Sequence, residues 1–401
     1  MTSTIPLAAS LDKVQPSRIR EIANVAFAMD GVLRLQFGES NLPTPDFIKA
    51  AATQAMQDGF TFYTENAGLP SLRRAIAAKT EELHGVTLNP ADEVLITASG
   101  VQALNVAIKC VIDPGDEALV LSPNWPNASA IVEMFGGKTV EIPMLSAGGR
   151  FVIDFAALEA AVTPRTRLLA FTSPSNPLGW VATVDEQQAL LDFSRRHDLW
   201  LLADEVYERI YYGDRHGDTV APSILRLSTR EDAVIVVNSF SKSYRMTGWR
   251  LGWVTARRDL ATKAAQLNEF IVSHAPSFVQ KAGEVALAHG EDELAGMVET
   301  FNERMDFCYQ ALSSLKAVDV PKPDGAFYLF RASSASKIRS SSPSICCKNR
   351  RWRWRRAALS ATAARAPSAS ATRRIFRSLN RRWSASASSW KPDSGEFGGR
   401  F

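Results

Sequence analysis

The sequence predicts an α/β architecture, a mostly parallel sheet lying between helices, and two features predict it. Between about residues 46 and 286, short apolar runs rich in Val, Ile and Leu alternate with longer segments of helical period. Strands and helices that take turns along a chain pack as a sheet covered by helices. The apolar runs end in polar or glycine-bearing loops, and open α/β sheets bind ligands in the crevice outside the strands' carboxyl ends.

In chain order, strands are predicted at 93–97, 117–121, 167–172, 199–203, 233–238 and 251–255, and helices at 101–111, 185–197 and 259–272. The loops that follow the strands are Ala98-Ser99-Gly100, Ser122-Pro123-Asn124-Trp125, Ser173-Pro174-Ser175-Asn176-Pro177, Asp204-Glu205-Val206-Tyr207 and Ser239-Phe240-Ser241-Lys242. Five such loops on one sheet edge define where chemistry is expected.

A length of 401 residues allows one large domain and a smaller one. No apolar run approaches membrane-spanning length, and residues 1–30 interleave Asp12, Lys13, Arg18, Arg20 and Glu21 with their apolar residues, unlike a secretion signal. The cytoplasm is therefore the expected compartment. Four cysteines, Cys110, Cys308, Cys346 and Cys347, form neither a disulfide framework nor a metal-ligand pattern, and the five histidines are scattered, so no metal is assigned. The net charge of +4 conceals an asymmetry: residues 332–401 carry 16 Lys+Arg against 2 Asp+Glu, leaving 30 against 40 for residues 1–331.

Taken alone, Lys242 between two serines reads as a surface lysine. Its context differs. The run Ser239-Phe240-Ser241-Lys242-Ser243-Tyr244-Arg245-Met246-Thr247-Gly248-Trp249-Arg250-Leu251-Gly252 resembles the cofactor-attachment signature of class I and II aminotransferases of the aspartate aminotransferase type, with arginine eight positions after the lysine. Arg245 departs from it, standing where the family has a small residue. The resemblance extends over residues 15 to about 331, with the remaining motifs in the family's order.

That resemblance implies a fold-type I enzyme dependent on pyridoxal 5′-phosphate. It would have a large domain (46–286) with a mostly parallel seven-stranded sheet, and a smaller α+β domain drawn from both chain ends (1–45 and 287–331). Lys242 is implied as the lysine that holds the cofactor and shuttles protons. Asp204 is implied as the partner of the pyridine nitrogen, which keeps the ring an electron sink. Asn176 and Tyr207 would hydrogen-bond the phenolic oxygen. Gly100 and Val101, opening a helix straight after a strand, would cradle the phosphate together with Ser239, Ser241 and the bidentate Arg250. Trp125 would stack on the ring, and Tyr63 would reach the phosphate of a partner subunit, implying a homodimer. Gly38, with Trp125 and Asn176, would lie against the substrate. The activity implied is ping-pong transfer of an amino group between an L-amino acid and a 2-oxo acid, a role in amino-acid metabolism without nucleic-acid or membrane partners.

After Gly325-Ala326-Phe327-Tyr328-Leu329-Phe330, which resembles a small-domain strand of the family, the sequence turns into Ser, Ala and Arg, including Arg350-Arg351-Trp352-Arg353-Trp354-Arg355-Arg356. The family instead has a segment ending in an R-I-S-Y-A strand whose arginine clamps the substrate carboxylate. Read two bases later, permissible codons for residues 352–375 spell V-A-V-A-P-G-S-A-F-G-D-G-G-E-G-P-I-R-I-S-Y-A-A-D, with the missing arginine straddling Ser368 and Ala369. A frameshift near residue 332 is the expectation, and the coding DNA tests it. Two readings compete with an active transaminase: a cofactor-binding paralogue inactivated by loss of that arginine, and a lyase on the same scaffold. The Trp and Arg residues of the tail, read as a nucleic-acid or membrane patch, are the third alternative.

Overall fold

The computed structural model describes residues 18–29, 38–213, 219–315 and 319–330. Its centre is a seven-stranded sheet in the order β1-β9-β8-β7-β6-β2-β3. The strands are β1 (Val94–Thr97), β2 (Glu117–Ser122), β3 (Lys138–Pro143), β6 (Thr166–Thr172), β7 (Trp200–Asp204), β8 (Val234–Ser239) and β9 (Gly252–Ala256), while β4 (Leu145–Ala147) and β5 (Arg150–Val152) form a separate hairpin. Neighbours from β3 to β8 are parallel, and β9 runs antiparallel to both β8 and β1. The mostly parallel sheet agrees with expectation.

Helices α1 (Arg18–Phe27), α2 (Asp46–Gln57), α3 (Pro70–His84), α4 (Gly100–Val111), α5 (Asn127–Met134), α6 (Phe155–Ala161), α7 (Val184–Arg196), α8 (Phe240–Ser243), α9 (Arg258–Glu269), α10 (Ser277–His289) and α11 (Glu291–Ser313) complete the described elements. Side-chain alternation sorts the strands' two faces. Leu168, Ala170, Leu202, Ile235 and Val237 pack with α4, α5 and α9, whereas Leu169, Phe171, Leu201 and Ala203 pack with α6 and α7. A third cluster joins α2, α3 and α10 to β1, β9 and Phe240. Strands buried on both faces read as continuous apolar runs, which is why they were legible.

Three differences from the sequence reading have physical causes. The seventh strand, β3, was not located, because it is a half-exposed edge strand carrying Lys138, Glu141 and Pro143. The helix expected at 259–272 stops at Glu269: the Asn268 carbonyl accepts N–H bonds from Ile271, Val272 and Ser273 at 3.2, 3.0 and 2.9 Å, and the chain turns back there. The strand expected at 325–330 is not a strand among the described residues. Only Gly325 forms a bridge, to Tyr211, and the neighbouring N–H groups of Asp324, Gly325 and Ala326 go to Gly179 O, Gly179 O and Ile210 O at 2.9, 3.1 and 2.7 Å. With its donors spent on loops, the segment has no ladder to join. Cys346 and Cys347, the tail at 332–401 and the Arg350–Arg356 run fall outside the described residues.

Candidate active site

The loops after β6, β7 and β8 bring their residues to one crevice. Ser239 ends β8 and caps the single-turn α8, its Oγ accepting from the Ser241 N–H at 3.1 Å. That cap fixes Lys242 in the turn, where Nζ donates to Gly38 O at 2.5 Å and lies 5.6 Å and 5.9 Å from the ring centroids of Tyr207 and Phe327. Burial pulls the Lys242 ammonium down to about 8, with Glu39 opposing and Arg250 reinforcing the shift. A lysine so placed is a free amine in about one molecule in ten at neutral pH, far more often than an exposed lysine.

Asp204 ends β7 and is buried. Among the described residues its carboxylate accepts one hydrogen bond, 3.3 Å from the Val206 N–H, and burial pushes it up to about 7 against the pull of Lys242. A buried carboxylate this poorly compensated is poised to take a cationic N–H partner. It lines a small, partly open cavity with Trp125, Asn124, Leu104 and Leu202.

Tyr207 is buried, and burial raises its phenol well above the ordinary value. Asn176 hydrogen-bonds it in the sense that favours the ionised oxygen, so the Asn176 amide is the donor. The structure thus brings the predicted Asn176 and Tyr207 together.

An anion cradle lies on the neighbouring strand ends. Ser99 caps α4 from the Gln102 N–H at 3.2 Å, so Gly100 and Val101 open the helix with their N–H groups free of intrahelical partners. A Cβ on Gly252 would sit 2.7 Å from Gly100 N and 2.8 Å from Asn238 O, so glycine alone lets β9 pass behind this turn. The Ser239 and Ser241 hydroxyls bond each other at 2.9 Å beside it. Arg250 holds a left-handed backbone (φ 58), donates Nη1 to Thr247 O at 2.6 Å and makes no ion pair among the described residues. Helix N–H groups, two hydroxyls and a guanidinium without a carboxylate suit a phosphate.

Tyr63 stands apart. It is 90% exposed, touching His274 edge-on at 5.5 Å between ring centroids; Phe62 and Phe270 are exposed too, Phe270 by 84%. Arg245, the departure from the signature, has φ 56 and pairs with Glu293, while its carbonyl accepts from Thr44 Oγ1 at 2.6 Å.

The family model described as "Aminotransferase class I and II" matches residues 31–358. The chain belongs to the class I and II aminotransferases. This aminotransferase is 35% identical over 300 residues to the probable aspartate/prephenate aminotransferase of Aquifex aeolicus, covering 74% of this chain and 75% of the relative. It is also 35% identical over 310 residues to the aspartate aminotransferase of Streptomyces avermitilis, covering 76% and 75%. Among solved structures it is similar to the aspartate aminotransferase of Thermus thermophilus with maleate (TM-score 0.75, 31% identity, 82% and 85% covered) and to that of Rhizobium meliloti (TM-score 0.76, 34% identity, 82% of each). The aminotransferase is accordingly a fold-type I enzyme whose cofactor is pyridoxal phosphate, and the residues assembled above fit that group: an undercompensated acid, a phenol with an amide donor, a depressed lysine and an anion cradle.

Sequence reasoning overlooked three participants. Phe327 and Tyr328 flank Lys242 and Tyr207, with the two tyrosine hydroxyls 2.6 Å apart, and Gly252 admits the cradle. Their signal lay in quoted motifs, the Gly325-Ala326-Phe327-Tyr328 run and the end of the lysine signature, but neither motif states what it faces. Among the described residues no helix is long and apolar enough to cross a membrane.

Proposed function

We propose that this aminotransferase moves an amino group between an L-amino acid and a 2-oxo acid by a ping-pong sequence, with Lys242 as cofactor lysine and proton carrier. The observation that carries this is the Lys242 amine, depressed to about 8 by burial and fixed on Gly38 O between two aromatic rings. Bound in the crevice, pyridoxal phosphate supplies an electron-withdrawing ring that acidifies the substrate's Cα–H. Lys242 Nζ then takes that proton and returns it at the acceptor carbon, as a general base must lie near its operating pH. Asp204 holds a proton on the ring nitrogen, Asn176 and Tyr207 hold the ring oxygen, and Trp125 covers the ring. Gly100, Val101, Ser239, Ser241 and Arg250 hold the phosphate, and Gly38 offers backbone to the substrate.

Tyr63 serves a second copy of the chain in this reading. The exposed Phe62, Tyr63 and Phe270 form the surface such a homodimer covers. The large domain spans 46–286 and the small one draws on 1–45 and 287–331. The cytoplasm is the compartment this reading assigns.

One observation favours a second reading, a cofactor-binding chain with impaired turnover. The arginines packed beside the site loops are engaged elsewhere, Arg245 with Glu293 and Arg209 in a two-bond pair with Glu291. If residues 332–401 are out of frame, the carboxylate-clamping arginine is absent. Loss of a charge-assisted contact of that kind weakens binding by about 1.5–3 kcal/mol.

The deciding measurement is the absorbance of the purified protein with pyridoxal phosphate. A band in the wild type that amino acids shift and Lys242→Ala abolishes is expected. A band unchanged in Lys242→Ala would remove Lys242 from its role, and one indifferent to every amino acid would favour the impaired chain.

A further inference from the structure

The segment 319–330 returns from α11 to the crevice and is pinned there by backbone bonds to Gly179 and Ile210 and by the Tyr212 hydroxyl on Ala326 O. Ala326, at φ 56, turns the chain so that Phe327 and Tyr328 face the site. Tyr328 Oη then lies 2.6 Å from Tyr207 Oη. It also closes on the N-terminal segment, since a Cβ on Gly38 would meet that hydroxyl at 1.8 Å, and Gly38 O is the Lys242 acceptor. One phenol therefore touches both groups that fix the lysine and the ring oxygen.

A phenol has one proton to give and two lone pairs to receive. Tyr207 receives from Asn176, and with no third group present its own proton goes to Tyr328, since that bond raises the Tyr207 phenol and lowers the Tyr328 phenol. A third group that takes the Tyr207 proton frees a lone pair to receive from Tyr328. A bond to a charged oxygen is stronger than one to a neutral phenol, so with the cofactor in place Tyr207 directs its proton to the cofactor's phenolic oxygen. Tyr328 is then the donor in the tyrosine pair. Donation into Tyr207 polarises its O–H and strengthens the onward bond.

We propose that Tyr328 is a positioning residue for transamination, donating its hydroxyl proton to Tyr207 so that Tyr207 better stabilises the charged oxygen of the bound cofactor. The proposal rests on the cofactor-site reading above. The charged and titratable groups around the pair are Asp204 at the end of β7 and Lys242 in α8, with Glu39 and Arg250 acting on Lys242. Among the described residues the hydrogen-bond partner of the Tyr328 hydroxyl is Tyr207.

The test is the pH titration of the cofactor band in the full chain. In Tyr328→Phe its midpoint is expected to rise by about half a unit, the size of a weakened neutral hydrogen bond. The rise should vanish when Tyr207→Phe is already present. Replacing Tyr328 with 3-fluorotyrosine, a stronger donor of the same shape, should lower the midpoint, which keeps the test open if Tyr328→Phe folds poorly. A midpoint unmoved or moved oppositely in these variants, with a normal Lys242-dependent band in the wild type, overturns the role of Tyr328 alone. Absence of that band in the wild type overturns the cofactor-site reading and this proposal together.

Discussion

Two consecutive acids at the end of β7 open onto different cavities. Asp204 looks into the crevice with Trp125, whereas Glu205 looks behind the sheet into a small cavity lined by Lys79, His84, Glu208, Tyr244 and Thr255. Burial raises both, Asp204 to about 7 and Glu205 to about 8. Their bonding differs. Glu205 accepts from the Ile224 N–H at 3.0 Å, and its other oxygen, like Thr255 Oγ1, lacks a protein partner among the described residues. Asp204 faces Lys242 and a cavity it shares with Trp125 and Asn124. The same desolvation that is a plain cost behind the sheet is, in front of it, a demand for a cationic ligand.

The largest effect that would break this contrast is at Asp204. Asp204→Asn keeps the shape and removes the charge, so cofactor affinity should fall by about 3 kcal/mol, more than a hundredfold, in a spectrophotometric binding titration. An Asn variant that binds as tightly as the wild type would make Asp204 an ordinary turn residue.

Glu205→Gln should leave cofactor affinity unchanged and act on stability instead. An acid whose folded value is raised from 4.5 to about 8 contributes no penalty below 4.5, where both states are protonated. The penalty grows as pH rises from there to about 8 and is constant above. The Gln variant of the cofactor-free protein should therefore match the wild type below pH 4.5 and exceed it increasingly as pH rises to 8, measured by urea unfolding. Equal stability across that range would mean that Glu205 is compensated inside the cavity.

Thr255→Val is the finest probe of the rear cavity. Replacing an unpartnered hydroxyl by a methyl of like shape should stabilise by about 0.5 kcal/mol in the same unfolding experiment. Destabilisation instead would reveal water bridging Thr255 and Glu205.

How much was legible follows from how each residue is specified. Asp204 ends a doubly buried strand, and Asn176 and Lys242 follow two others within a few residues, so an apolar run followed by a polar cluster marks them, whereas Arg250, just before β9, was found only by its spacing from Lys242. Strand β3 was missed because Ile142 is its one buried residue and Lys138, Glu141 and Pro143 leave no continuous apolar run. Tyr63 was named, and the structure leaves it 90% exposed, with an edge-on contact to His274.

By itself, the sequence determined the α/β alternation, the sheet edge that carries the chemistry and the lysine signature, because these are written in short periods and fixed spacings. Tertiary structure alone decided that Tyr328 meets Tyr207 across 121 residues and that Gly38 receives Lys242 across 204. It also decided that Asp204 and Glu205 serve opposite faces of one strand end. No local pattern encodes such meetings. They arise when packing of the sheet brings distant loops together and removes water from the groups between them.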